Sequence, residues 1–213
     1  VSNLATLSTG ESITGVKSHK SLLIKLRKLS KSLSRKQKGS NNRNKARIKI
    51  AKLHFRIKNL RLDCLHKLTT RLTSCFHTIG IEDLNIKGML KNHKLARAIS
   101  DMGFYEFRRQ LEYKANWRGG IVVIADRFFP SSKLCSDCGH KVEKMPLSIR
   151  KWSCDNCKSN HDRDINAAIN LKNCAVSSTV KACGEESSGF DSRIKVKLSS
   201  MKQESNTKLT CNI

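Results

Sequence analysis

The sequence predicts an α/β fold with a small metal-binding module inserted near its end, and three observations carry that prediction. Short apolar, β-branched segments alternate with long stretches of helical periodicity. The clearest strand candidates, Thr78-Ile-Gly-Ile-Glu82 and Ile121-Val-Val-Ile-Ala125, have the composition of core strands. Two CxxC knuckles, Cys135-Ser-Asp-Cys138 and Cys154-Asp-Asn-Cys157, stand fifteen residues apart between the last strand and the last helix. Four thiolates at that spacing wrap one Zn²⁺ in a tetrahedral cage, so the insertion reads as a four-cysteine zinc ribbon.

Taken in order, Val1 to Val16 alternates around Thr9-Gly10 and reads as a β-hairpin. From Lys17 to Arg61 there are seventeen Lys or Arg and no acidic residue. Gly39-Ser-Asn-Asn42 interrupts that run as a turn between two helices. Apolar residues at Ile50, Leu53, Ile57, Leu60, Cys64, Leu68, Leu72 and Cys75 give the second helix a packing stripe whose face drifts slowly. A strand over Thr78–Leu84 emerges at Glu82. One helical region is expected from His93 to Trp117, with Leu95, Ile99, Met102, Phe107 and Leu111 on its inner side and Gly119-Gly120 as its stop. Phe128-Phe129-Pro130 leads into the ribbon. Two adjacent aromatics there read as core, with base stacking the alternative. After the ribbon, a helix starts at Asp164, near its N-cap. From Cys174 onward the chain is Ser-, Lys- and Glu-rich and reads as a flexible tail.

Charge limits the partners. Lys and Arg total 42 against 17 Asp and Glu, a formal charge of +25. Seventeen like charges repel unless a polyanion neutralises them, and nucleic acid is the commonest one. Arg43, Lys45, Arg47, Lys49 and Lys52 are the expected phosphate contacts, with a merely solvated scaffold face the alternative. A membrane surface fits poorly: aromatics make up 5% of residues, and no apolar run approaches the ~20 residues of a spanning helix. The first residues, Val1-Ser-Asn-Leu-Ala5, lack the pattern of a secretory signal. Of nine cysteines, four have metal spacing and the other five no pairing pattern, so a reduced compartment is expected. Cys64 and Cys75 read as core filler.

Glu82 at a strand end and Asp164 at a helix start suggest a second metal site. In α/β sheets, strand C-termini and helix N-termini share one edge, where ligands bind. Two carboxylates brought together there repel unless a cation neutralises them. Mg²⁺ suits hard oxygen ligands and keeps waters for substrate phosphate. The bland alternatives are a solvated turn for Glu82-Asp83 and a plain cap for Asp164.

Ile81-Glu82-Asp83-Leu84-Asn85-Ile86-Lys87-Gly88-Met89, the double CxxC and His161-Asp-Arg-Asp-Ile-Asn-Ala-Ala-Ile-Asn170 resemble the TnpB (transposon OrfB) family. That family is related to the nuclease half of type V CRISPR effectors. The resemblance runs from Val1 to about Asn173. It implies an RNase H-like (RuvC-like) sheet, Mg²⁺-dependent DNA cleavage, and guidance by a transposon-end RNA. It implies that Glu82 and Asp164 are catalytic carboxylates, with Asp162 a possible auxiliary. With four thiolates available, His161 reads as a structural or active-site neighbour of Asp162 rather than a spare metal ligand. The expected domains are a RuvC-like core over 1–130 including the basic hairpin 17–78, the ribbon over 131–160, a final helix over 161–173 and a tail over 174–213. The expected partners are DNA and guide RNA, with no membrane and no small-molecule substrate, in the prokaryotic cytoplasm at the nucleoid.

One departure from the family pattern sets a further expectation. The family's first catalytic Asp lies in a Gly-Ile-Asp-Leu-Gly segment just before Val-x-Asn-Leu-Ala. This chain starts at Val1-Ser-Asn-Leu-Ala, and no Asp precedes Asp63. The sequence therefore reads as part of an RNA-guided endonuclease that is inactive alone, or as a nuclease-dead, zinc-containing nucleic-acid-binding remnant.

Overall fold

The computed structural model describes residues 3–15 and 20–182. The described residues form a mixed helix and sheet structure with three two-stranded sheets. Strands β1 (Asn3–Thr6) and β2 (Ser12–Thr14) make the expected antiparallel hairpin. Helices α1 (Lys20–Ser34) and α2 (Asn41–Cys75) pack together as the expected basic hairpin. Strands β3 (Thr78–Glu82) and β4 (Ile121–Ala125) pair in parallel, with Glu82 opposite Ala125. Strands β5 (Lys151–Ser153) and β6 (Asn160–Asp162) pair within the ribbon. Helix α6 (Arg163–Ala182) follows directly. No described helix is long and apolar enough to cross a membrane.

The turn between α1 and α2 has two fastenings. Ser40 caps α2 by accepting the Arg43 N–H at 3.2 Å. The Arg43 guanidinium donates to the carbonyls of Leu33 and Lys36 at 3.0 and 2.9 Å. On α2 the buried stripe is Ala46, Leu53, Ile57, Leu65, Thr69, Leu72 and Thr73. It misses Leu60 and Cys75, which are exposed, and Cys64, which is half-buried. After Ile57 the stripe steps by four through Arg61 to Leu65. An apolar-only reading passes over Arg61, whose guanidinium pairs with Asp101.

The region 93–117 is two helices rather than one. Helix α3 (Ile86–Leu90) precedes α4 (His93–Met102), and α5 (Phe104–Trp117) follows after Gly103. Gly103 takes the left-handed conformation, φ +67°, which breaks the hydrogen-bond ladder and turns the chain. Ile99 and Leu111 are buried as expected, whereas Leu95 is exposed. Between α2 and α5 the contact is partly polar. The buried Lys114 ammonium donates to the His66 carbonyl and to the Thr69 and Thr70 hydroxyls at 2.8 to 2.9 Å. Burial pushes its pKa down.

Helix α6 lies on β3. An added Cβ at Gly80 would meet the Leu171 carbonyl oxygen at 2.6 Å and the Ala175 methyl at 3.0 Å, so only glycine permits this approach. The helix also runs past the expected end of order at Cys174. Cys174, Ala175 and Ser178 are buried, and the Ser178 hydroxyl donates to the Cys174 carbonyl at 2.7 Å. Small and weakly polar residues continue the stripe there without raising the hydropathy. The rest of the expected tail, 183–213, lies outside the described residues.

Candidate functional site

The four clustered cysteines come from two matching turns. In the first, Cys135 N–H donates to the His140 carbonyl and Gly139 N–H to the Cys135 carbonyl, both at 2.9 Å. In the second, Cys154 N–H donates to Ser159 and Lys158 N–H to Cys154, again at 2.9 Å. Each turn needs a left-handed residue just after its second cysteine. Gly139 supplies it at φ +74° and Lys158 at +61°. The turns bring the four sulfurs within 4.8 Å of one another. Cys135–Cys157 and Cys138–Cys154 Sγ pairs are each 3.6 Å apart. Tetrahedral coordination with Zn–S near 2.3 Å puts sulfurs ~3.8 Å apart, so the cluster fits zinc and is too open for disulfides.

The protein environment of these thiols is uneven. Burial pushes Cys135 up to about 12. Hydrogen bonding with the Ser159 hydroxyl and backbone brings Cys157 down to about 6. His161 Nε2 lies 3.1 Å from Cys135 Sγ, with both residues buried. The imidazole also packs on the Trp152 ring at 4.8 Å between centroids. That geometry suits a hydrogen bond to a thiolate, a contact with the cysteine cluster rather than with Asp162, its expected neighbour.

Glu82 and Asp164 both line one cavity of about 1280 Å³, together with Arg108 and Arg127. Their local roles differ from those of their neighbours. Asp83 is neutralised by two arginines, Arg108 at 2.9 Å and Arg127 at 2.7 Å. Glu82 accepts a hydrogen bond from the buried Ser131 hydroxyl at 2.6 Å. Among the described residues it forms no ion pair.

At the head of α6, Asp162 rather than Asp164 is the cap. Its Oδ1 accepts the N–H groups of Asp164 and Ile165 at 3.0 and 3.2 Å. Asp164 is thereby left exposed, with one loose contact to Arg150 at 3.5 Å.

Several site residues were not legible in the motif search. Asn166 donates to the Leu134 carbonyl and accepts the Ser136 N–H. Asn170 donates to the carbonyls of Ser131 and Leu134. These two buried amides hold the chain entering the ribbon against α6. Their signal was an i, i+4 pair of asparagines on an otherwise apolar helix face. Asp126 joins Glu82 and Asp83 around a second, smaller cavity.

The proposed phosphate contacts divide. Arg43 is engaged in the turn, whereas Lys45, Arg47, Lys49 and Lys52 are exposed on α2. Lys45, Lys49 and Lys52 fall on one stripe at helical spacing, and Arg47 lies on the other flank. Of the two aromatics, Phe129 is half-buried, but Phe128 is 83% exposed and is not core.

Comparisons with known proteins agree with this architecture. Residues 1–93 match the family model OrfB_IS605, "Probable transposase", and residues 104–171 match the "Cas12f1-like, TNB domain" model. A protein of Streptomyces pristinaespiralis described as "Putative RNA-guided DNA endonuclease" is 50% identical over 185 residues, covering 87% of this chain and 45% of the relative. Escherichia coli K12 InsQ, similarly described, is 40% identical over 200 residues, covering 87% and 49%. The chain thus spans about half the length of these relatives. A chain in the cryo-EM structure of a CRISPR-Cas12f ternary complex superposes with TM-score 0.58 at 18% identity, covering 76% of this chain and 34% of that one. One in a Cas12f1-sgRNA-target DNA complex gives 0.51 at 19%, covering 76% and 43%. At such identity the likeness is one of fold. With residues 1–93 and 104–171 matched by these models, spans that contain the Glu82 segment, the double CxxC and the His161–Asn170 segment, the chain belongs to the OrfB/TnpB family of transposon proteins.

Proposed function

We propose that this chain supplies the carboxylate and zinc-ribbon part of an RNA-guided, metal-dependent DNA endonuclease, built on an RNase H-like core. One observation carries the reading: Glu82 and Asp164 line the same cavity, and neither is consumed by a structural role. Asp83 is matched by two guanidinium groups and Asp162 by two backbone amides, so each has local partners that account for it. Exposed carboxylate oxygens beside a basic cavity wall suit a hard cation and a phosphate together.

Mg²⁺ bound by Glu82 and Asp164 would polarise a phosphodiester and lower the pKa of a bound water. Ser131 holds Glu82 at one oxygen and leaves the other for the site. Asp162, by capping α6, leaves the Asp164 side chain free. Zinc in the ribbon is structural, because four thiolates close its coordination. The exposed lysines of α2 bind the phosphate backbone of RNA or DNA without reading sequence. The likeness to relatives described as RNA-guided DNA endonucleases supports RNA guidance of DNA cleavage for the whole protein.

The test is divalent-cation binding by the zinc-loaded chain, followed by Mn²⁺ paramagnetic resonance. Glu82→Ala and Asp164→Ala should each weaken Mn²⁺ binding about tenfold or more, while Asp162→Ala should destabilise α6 by removing its cap, with a smaller effect on Mn²⁺. Unchanged Mn²⁺ affinity in both alanine variants would refute the site. In a chimera that places this chain in the matching half of the Streptomyces relative, the same two substitutions should abolish Mg²⁺-dependent DNA cleavage.

A further inference from the structure

We propose that Phe128 is a base-stacking residue that receives an unpaired nucleotide at the carboxylate edge. This rests on the nucleic-acid reading above and adds to it a contact with bases. The ring is 83% exposed, among the largest exposures of any large apolar side chain described.

Its backbone, by contrast, is held tightly. The Phe128 N–H donates to Asp126 Oδ1 at 2.7 Å, and the Phe129 N–H donates to the Asp126 carbonyl at 3.0 Å. Ser131 N–H then donates to the Phe129 carbonyl at 2.8 Å. Ser131 is itself buried, with its hydroxyl on Glu82. A fixed turn therefore presents one aromatic face to solvent while its next residue, Phe129, turns inward toward the small cavity beside Glu82.

Leaving a phenyl ring in water forfeits the stabilisation its burial would give. The ordered turn also fixes the point and direction from which the ring leaves the backbone. Both features favour a planar apolar ligand. The chain's charge selects among such ligands. A formal +25 attracts polyanions, and a nucleic-acid strand joins phosphates to flat bases. Bases within a duplex are already stacked, so the ligand is a single strand or an extruded base. Neighbouring Arg127, on the same turn, is half-exposed and paired with Asp83, and its guanidinium faces the same cavity wall as Glu82.

The experiment measures binding of the full chain to a fluorescent oligothymidine and to an oligonucleotide of equal length and charge whose residues are abasic. The wild-type chain should prefer the oligothymidine. Phe128→Ala should weaken oligothymidine binding about five- to hundredfold, leave abasic binding unchanged, and leave the slope of affinity against salt unchanged. Phe128→Trp should retain affinity, with tryptophan quenching on binding beyond that of Trp117 and Trp152. Circular dichroism melts should coincide with wild type, because the ring is solvated. Phe128→Ala that binds oligothymidine as wild type, or that loses equally on both probes, overturns the stacking proposal alone. A wild-type chain that binds neither probe overturns both this proposal and the nucleic-acid reading beneath it.

Discussion

Gly80→Ala should pry α6 from β3. Gly80 is in the middle of β3, and its neighbours are the Leu171 carbonyl oxygen at 2.6 Å and the Ala175 methyl at 3.0 Å from an added Cβ. Neither can rotate away, because one is helix backbone and the other has no rotamer. Reaching ordinary contact requires the helix and strand to separate locally by about 0.8 Å, which a close-packed interior resists. Overpacking of this kind costs ~1–3 kcal/mol. For a chain of this size each kcal/mol lowers Tm by about 2–4 °C. The assay is thermal unfolding of the zinc-loaded chain. Gly39→Ala is the control, since Gly39 sits at φ +86° with nothing within 4 Å of the new Cβ. It should cost only left-handed backbone strain, ~1 kcal/mol. Mn²⁺ affinity separates the two further: Gly80→Ala shifts the element carrying Asp164, and Gly39→Ala does not touch it. Gly80→Ala that melts with wild type would refute the close approach of α6 to β3, and with it the support for the proposed pairing of Glu82 and Asp164.

The remaining predictions concern the ribbon, the basic helices and one acid. Zinc should bind at one per chain and be lost in Cys135→Ser, and chelation should unfold the ribbon while α2 keeps its far-ultraviolet signal; metal analysis of the variant checks this. His161→Ala should weaken zinc about 10- to 100-fold, read by competition with a chromophoric chelator. Lys158→Gly should stabilise the second knuckle by ~1 kcal/mol, because Lys158 holds φ +61° at a cost that glycine does not bear; hydrogen exchange of the zinc-loaded chain reads it. If about six cations of the α1–α2 hairpin meet phosphates, DNA affinity should fall ~10³-fold between 50 and 200 mM salt. Neutralising Lys45, Lys49 and Lys52 should flatten that slope, and neutralising Arg43 should instead lower stability. The Arg109 guanidinium, with help from Gln110, holds Glu106 down to about 2. A depressed carboxyl stabilises the fold above its unfolded value, and that contribution is lost as pH falls from about 4.5 to 2. It amounts to at most ~3 kcal/mol, and Glu106→Gln should remove this part of the pH dependence of unfolding.

The ribbon was legible because its chemistry is local: cysteine identity and a two-residue gap specify each knuckle, whatever surrounds it. The basic hairpin was legible for the same reason, with charge, a Gly-Ser-Asn-Asn turn and a repeated apolar spacing. Features that depend on distant partners were not. Leu60 and Leu95 look like stripe residues, yet Arg61 takes the inward position in one case and the Gly103 break reorients the helix in the other. Phe128 looks like core until the turn from Asp126 shows which of two adjacent rings faces in. Glu82 and Asp83 are indistinguishable in sequence as an acidic pair, and only Arg108, Arg127 and Ser131 separate their roles. Asn166 and Asn170 are ordinary helix residues until their amides meet carbonyls more than thirty positions away.

The placement of the ribbon has a physical consequence for the carboxylates. Glu82 ends β3 and Asp164 begins α6, so their separation depends on two elements that the ribbon divides in sequence. If Glu82 and Asp164 converge as proposed, their two negative charges tend to drive those elements apart. The ribbon's two ends oppose this. At its entry, Asn170 and Asn166 bind the 131–136 segment, and Ser131 passes that anchorage to Glu82. At its exit, His161 contacts Cys135 of the metal cage, and Asp162, the next residue, caps the helix that presents Asp164. A metal-closed thiolate cage between entry and exit would fix their spacing without using either of the proposed carboxylate ligands. Zinc loading should therefore sharpen Mn²⁺ binding at Glu82 and Asp164 although the two metals share no residue. Asn170→Leu, which keeps the cage but frees Ser131, should weaken Mn²⁺ binding while leaving one zinc per chain. Equal Mn²⁺ affinity in the zinc-loaded wild type and in Asn170→Leu would show that the ribbon and the carboxylate edge are mechanically independent.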